Sequence, residues 1–97
     1  MAELFDTIRR LLREEKYAVS GHAAERLDER GFEEWQVVVG TDDGKLMLER
    51  PKASPNPAVE VRVILPDGTE CKAVWSYLPS DESAKLVTVH YFDEQRS

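Results

Sequence analysis

His22, Arg26 and Arg30 stand four residues apart in the segment Ser20-Gly21-His22-Ala23-Ala24-Glu25-Arg26-Leu27-Asp28-Glu29-Arg30-Gly31-Phe32. On a helix this spacing puts an imidazole and two guanidiniums on one face. Ser20 has the chemistry of an N-cap and Gly31 that of a C-terminal stop, so the helix carries its own punctuation. An imidazole that can take or give a proton beside two fixed positive charges is a set of groups able to handle a phosphodiester. The same residues also suit a solvated surface helix, because Glu25, Asp28, Glu29 and Glu33 are at hand to pair with the arginines. The spacing alone leaves both readings open.

The elements that must position these groups follow from the hydrophobic pattern. Leu4, Phe5, Ile8, Leu11 and Leu12 form a stripe at helical spacing, with Arg9, Arg10, Arg13 and Glu14 away from it, which predicts an amphipathic helix over residues 2–15. Tyr17-Ala18-Val19 is too short to assign and reads as a strand or an extended link into the Ser20 cap. The Ser20 segment then buries Ala23, Ala24 and Leu27. Apolar residues at Phe32, Trp35, Val38 and Val39 make a third helical stripe, which Gly40, Asp42, Asp43 and Gly44 bring to a stop. From Lys45 onward the period becomes two. Lys45–Arg50, the Val59-Val61-Val63-Leu65 alternation, the Cys71-Ala73-Trp75-Tyr77 alternation and Leu86–Phe92 each predict a strand. Pro51, Pro55 and Pro57 make a stiff connection, and Pro66-Asp67-Gly68 a tight turn. Helices followed by about four antiparallel strands define an α+β class. The 97 residues form one domain.

Composition narrows the function. The chain is 41% hydrophobic and 33% charged, as ordinary folded proteins are. Thirteen Lys and Arg against nineteen Asp and Glu give a net charge of −6. A protein that coats nucleic acid relies on positive charge to displace counterions, so general coating is excluded and only a local basic face remains open. The single cysteine, Cys71, forms no intrachain disulfide and points to a reducing compartment, with the cytoplasm as the expectation. The sequence has no run long enough to span a membrane, and Met1-Ala2-Glu3-Leu4-Phe5-Asp6 lacks the order of a signal peptide. His22, His90 and Cys71 lack the close spacing of a metal site, so neither metal nor cofactor is expected. Trp75 and Tyr77 could stack nucleobases, though such a pair more often lies in a core.

With the Ser20–Phe32 segment, the Trp35–Val38 segment and Leu86-Val87-Thr88-Val89-His90 in view, the chain resembles the DUF4258 family. The family pattern is a helix of the form S-x-H-A-x-x-R-x-x-x-R-G-[IF], a variable β-rich middle, and a terminal strand of the form V-x-T-V followed by an aromatic. The resemblance covers residues 17–92, with the helix over residues 1–16 as an addition. It implies a fold similar to the barnase, colicin and RelE group, in which helices pack on an antiparallel sheet. That group contains metal-independent ribonucleases, many of them toxins. By matching positions the resemblance implies His22, Arg26, Arg30 and Thr88 as site residues. His90 stands where the pattern often has an aromatic.

Metal-free RNA cleavage needs a base for the 2′-hydroxyl, positive charge on the phosphate and an acid for the 5′-oxygen. Alternation puts Thr88 and His90 on one strand face, opposite Val87, Val89 and Tyr91. If that face meets the Ser20 helix, the two histidines share one cleft and can divide the proton transfers. The expectation is therefore a toxin-type ribonuclease acting on RNA and held by an antitoxin-like protein. The alternative is a non-catalytic protein-interaction or homodimerising domain of the same fold. An enzyme predicts His22 and Arg26 accessible in a basic pocket. A binding module predicts the arginines paired with nearby carboxylates and an exposed apolar patch elsewhere.

Overall fold

Phe5, Ile8, Leu11 and Leu12 are buried on one side of a helix, α1 (Glu3–Arg13), as their spacing requires. The computed structural model describes residues 3–95, so the start expected at residue 2 lies outside the described residues. A short strand, β1 (Tyr17–Val19), leads into α2 (Gly21–Glu29) and α3 (Glu34–Asp42). Four strands follow: β2 (Lys45–Arg50), β3 (Ala58–Ile64), β4 (Glu70–Leu78) and β5 (Ser83–Tyr91), with a 3-10 turn at Phe92–Gln95. The spatial order is β1-β5-β4-β3-β2. One apolar cluster joins α1, α2 and α3 to Val59, Val61, Val63, Cys71, Ala73, Trp75, Leu86, Val89 and Tyr91. The other face of the sheet carries Arg62, Lys72, Val74, Thr88 and His90, and among the described residues no α-helix packs on it.

The expected set of four antiparallel strands is a mixed sheet of five. β2 through β5 pair antiparallel, and β1 adds parallel to β5 with Tyr17 beside Ala84 and Val19 beside Leu86. Three residues are too few to show a period, so local pattern leaves this strand ambiguous. Its partner decides it: Ala84 N donates to Lys16 O at 3.0 Å and Ser20 N donates to Leu86 O at 2.9 Å, which uses groups that an open edge would leave to water.

The third helix also differs from its pattern. Trp35 and Val39, expected to face the core, are 55% and 54% exposed, and the helix continues through Gly40 to Asp42. Its buried side is Val37-Gly40-Thr41, extended by Gly44. A Cβ on Gly40 would lie 2.4 Å from Val63 Cγ1, and one on Gly44 would lie 2.7 Å from Arg62 O. The helix therefore seats on β3 through its smallest residues. An apolar stripe chosen by size points the wrong way, because close approach selects residues without bulk. Thr41 completes the seat: its hydroxyl donates to Val37 O and accepts from Trp75 Nε1 at 3.0 Å, which satisfies the indole in the core.

Turn chemistry is as the sequence implies. Gly68 takes φ +89, its N–H donates to Leu65 O, and Asp67 accepts from Thr69 N at 2.9 Å. That hydrogen bond holds the Asp67 carboxyl below its ordinary pKa. Replacing Gly44 by Ala is expected to cost about 1–3 kcal/mol through backbone displacement. Gly21→Ala, whose Cβ meets nothing within 4 Å, is expected to change stability by less than about 0.5 kcal/mol. Urea denaturation of the two variants checks the contrast.

Candidate functional site

The site grows from the way one strand edge is closed. β1 covers β5 only as far as Leu86, after which the chain turns at Ser20 into α2. The carbonyls of Val87 and Val89 on the uncovered part of β5 then need donors. Ser20 Oγ donates to Val87 O at 2.7 Å and accepts from Ala23 N at 3.0 Å, so one hydroxyl both caps α2 and ties it to the sheet. Arg26 Nε donates to Val89 O at 3.1 Å, and Tyr91 Oη donates back to Arg26 O at 3.1 Å. Side chains of a helix thus serve where a neighbouring strand would have donated.

A β-bulge aims the side chains. Trp75 opposes Leu86 and Val74 opposes Thr88, so β5 carries one extra residue at Val87. Ala84 and Leu86 face the core, and without the bulge Thr88 and His90 would follow them inward. The extra residue reverses the parity. Val89 and Tyr91 are buried, while Thr88 and His90 face outward. Their shared face is the one expected from alternation, but Val87 does not lie opposite it: the bulge turns Val87 out to line the same cleft.

That cleft, of about 620 Å³, is walled by Ser20 and His22 from α2, by Lys85, Val87, Thr88 and His90 from β5, by Ser76 and Leu78 from β4, and by Pro55 and Asn56 from the connection between β2 and β3. His22, in the first turn of α2, and His90 are both exposed. The packing around His90 disfavours its charged form, and the positive charges of Lys72, Arg26 and His22 add to this; Glu60 opposes them, and the net effect lowers the His90 pKa from its ordinary 6.5. Thr88 Oγ1 is a buried oxygen with no hydrogen-bond partner among the described residues. Two imidazoles and an ammonium lining one cleft are suited to hold an anionic ligand.

The two arginines of the helix lie elsewhere. Besides its bond to Val89, Arg26 has Glu29 at 3.6 Å. Arg30 forms a two-pronged pair with Asp93 at 3.1 and 2.9 Å. Both guanidiniums lie over the Tyr91 ring, at 5.4 and 4.3 Å from its centroid, with Phe32 stacked on the same ring. Of the residues singled out from the sequence, His22, Thr88 and His90 line one cleft, and Arg26 and Arg30 hold the end of β5 in place. Trp75 is fully buried, so it offers no stacking surface. Cys71 is also buried, which pushes its thiol up to about 12. Lys85, Ser76 and Asn56 were not singled out. Parity against Trp75 and Tyr77 marks Ser76 as outward, but nothing in the local sequence signals Lys85 or Asn56.

No group of three or more metal-ligating side chains occurs among the described residues, and no helix is long and apolar enough to cross a membrane. The fold and the cleft define an α+β domain with helices on one sheet face, an open opposite face and a largely apolar cleft at the edge that holds both histidines. The chain belongs to the DUF4258 family, a domain of unknown function, whose model matches residues 19–91. The match runs from the residue before the Ser20 cap to the Tyr91 ring on which the arginines rest. No curated protein and no solved structure matches the chain.

Arg26→Ala is expected to lose about 2 kcal/mol of stability, the scale of a charged hydrogen bond to a buried carbonyl. Arg26→Lys is expected not to restore it, because an ammonium lacks the Nε donor and the planar ring contact. Urea midpoints decide this, and full stability of Arg26→Ala would remove the edge-closing role.

Proposed function

We propose that the protein is a metal-independent ribonuclease of toxin type, acting in the cytoplasm with its chemistry in the His22–Thr88–His90 cleft. One observation carries the reading: the chain's two histidines, 68 positions apart, line a single cleft together with Thr88. The lone buried thiol of Cys71 supports a reducing compartment. The fold is read as RelE- and barnase-like, supported by helices gathered on one face of a largely antiparallel sheet.

In this reading His90 is the base, since its lowered pKa leaves a neutral imidazole at pH 7. It accepts the 2′-hydroxyl proton as that oxygen attacks phosphorus. His22 gives a proton to the departing 5′-oxygen. The products are a 2′,3′-cyclic phosphate and a 5′-hydroxyl, with no net change in protons. Lys85 stabilises the charge that builds on the non-bridging oxygens, and Thr88 forms part of the cleft wall beside His90. Arg26 and Arg30 act through β5 as positioning residues, and the Arg26 charge helps keep His90 neutral. An antitoxin-like partner would cover this cleft.

A second reading, a homodimerising domain, is favoured by the two observations expected of it: Arg26 and Arg30 are paired with Glu29 and Asp93, and an apolar patch is exposed elsewhere. Trp35, Val39 and Ile64 are exposed together along a groove that Lys45 of the edge strand β2 also lines. A second copy docking there could extend the sheet through the free β2 edge. Sedimentation equilibrium separates the possibilities: a dimer that Ile64→Glu converts to a monomer supports this reading, and a monomeric wild type removes it.

For the ribonuclease, purified protein in EDTA is expected to cleave single-stranded RNA, and His22→Ala or His90→Ala to lose about 100-fold or more in rate with unchanged circular dichroism. A base works only when unprotonated, so the rate should rise with pH through an acid limb whose midpoint lies below 6.5, the ordinary histidine value. Lys72→Gln should move that midpoint upward by removing a neighbouring positive charge. Absence of cleavage by the wild type across structured and single-stranded RNA would overturn the reading.

A further inference from the structure

Strand register places like charges side by side on the open face of the sheet. Lys45 on β2 pairs with Arg62 on β3, Arg62 with Lys72 on β4, and Lys72 with His90 on β5. All four side chains face away from the core, because Val61, Val63, Cys71, Ala73, Val89 and Tyr91 occupy the opposite parity. The row crosses four strands, about 15 Å at ordinary interstrand spacing, and ends in the cleft at His90. Like charges directly opposite one another destabilise a sheet, so this arrangement runs against the fold's own interest.

Two carboxylates offset part of the cost. Glu60 lies 3.4 Å from Lys72 and 2.9 Å from Arg50, and Glu70 pairs with Arg62. The ends of the row remain open: Lys45, and Lys85 beyond it in the cleft, have no ion-pair partner among the described residues. With Arg50 and Lys85 counted, the strand positions of the open face carry five basic side chains and two acidic ones, in a chain whose net charge is −6. Asp43 borders Lys45 and Arg62, and Asp67 and Asp93 border Arg62 and Glu70. The excess of acid therefore lies on the helical side and the turns. The strand positions of this face are net basic, and they lead into the two-histidine cleft.

We propose that this cross-strand row is a binding track for the phosphate backbone of single-stranded RNA, which lies across the strands from Lys45 over Arg62 and Lys72 and delivers a phosphodiester to the cleft. The proposal rests on the ribonuclease reading for its choice of RNA. It adds the path and polarity-independent grip that the cleft lacks, since Lys85 alone gives the cleft little hold on a chain of phosphates. The Arg62–Glu70 pair is half-exposed and exchanges for phosphate at small cost. The Lys72–Glu60 pair is largely buried, so Lys72 acts mainly through its field, and Arg62 and Lys45 make the direct contacts. The flat row, with outward Val74 and Ile64 beside it, leaves bases free to rest on apolar surface while the backbone is held.

The test is fluorescence anisotropy of a labelled 2′-O-methyl oligonucleotide, which cannot supply the attacking hydroxyl, titrated with wild-type protein at several potassium chloride concentrations. Binding is expected to weaken linearly in log–log form with salt, and the Lys45→Gln/Arg62→Gln/Lys72→Gln variant to bind roughly tenfold or more weakly with a slope smaller by about 2, at about 0.7 per phosphate contact. The charge-preserving pair Arg62→Lys/Lys72→Arg should bind as wild type, as should Arg10→Gln on the helical side. Lys45→Glu alone, at an exposed and unpaired position, must weaken binding even if the triple variant folds poorly. Equal binding by wild type and Lys45→Glu, or no binding by wild type at low salt, overturns the track. Cleavage of ordinary RNA by the same proteins keeps the two ideas apart. Track-independent cleavage overturns the track and leaves the ribonuclease. Track-dependent binding with no cleavage supports the track and overturns the ribonuclease.

Discussion

The exposed edge of β5 is the constraint on which the rest of this structure depends. A strand edge that is neither paired nor covered leaves backbone groups without partners and invites other strands. β1 covers three residues of that edge, and α2 covers the remainder through Ser20 and Arg26. Because α2 is bound to the edge rather than laid over the sheet, its first turn overhangs the boundary between the packed face and the open one. His22 lies on that turn. The bulge at Val87 then turns the last two outward residues of β5 toward it. Edge closure and bulge together create a cleft at a place where a regular sheet would have had only a border.

The same dependence explains the division of labour within the Ser20–Phe32 segment. Its histidine and arginines share a helical period, yet they face different neighbours because the helix lies along a strand rather than across it. One turn further from the sheet's open face, the guanidiniums meet Val89 O, Asp93 and the Tyr91 ring instead of solvent. Ser20 and the arginines appear in one motif with His22 because a helix that must replace a strand needs donors at both ends of its contact, and the histidine depends on that contact for its position. A motif can therefore combine a residue that lines a cleft with residues that place it.

Much of this was legible from the chain. The amphipathic first helix, the Ser20 cap, the Gly31 stop at φ +73, the Pro66-Asp67-Gly68 turn and four of the five strands follow from period and punctuation. The family membership followed from the Ser20 segment taken with Trp35–Val38 and Leu86–His90. Three features were hidden for distinct physical reasons. Tyr17–Val19 is a strand only because β5 offers an edge. α3 seats through glycines and a threonine, so a reading weighted by apolar bulk faces it backward. The bulge leaves no mark in Leu86-Val87-Thr88, where every residue suits a strand, and its effect is visible only in the register against β4. The shared face of Thr88 and His90 was legible; that Val87 joins it, and that Lys85 and Asn56 complete the cleft, depends on tertiary pairing.

The central claim is that the chain's two histidines form one phosphodiester-binding cleft. With only His22 and His90 present, their ring resonances can be assigned from a single substitution. The most direct measurement is to follow both imidazole signals by NMR while a short 2′-O-methyl oligonucleotide is added. The account predicts that both move together, with the same midpoint, while resonances of α1 stay in place. Movement of one imidazole alone, or of neither while the oligonucleotide is bound elsewhere, would contradict it.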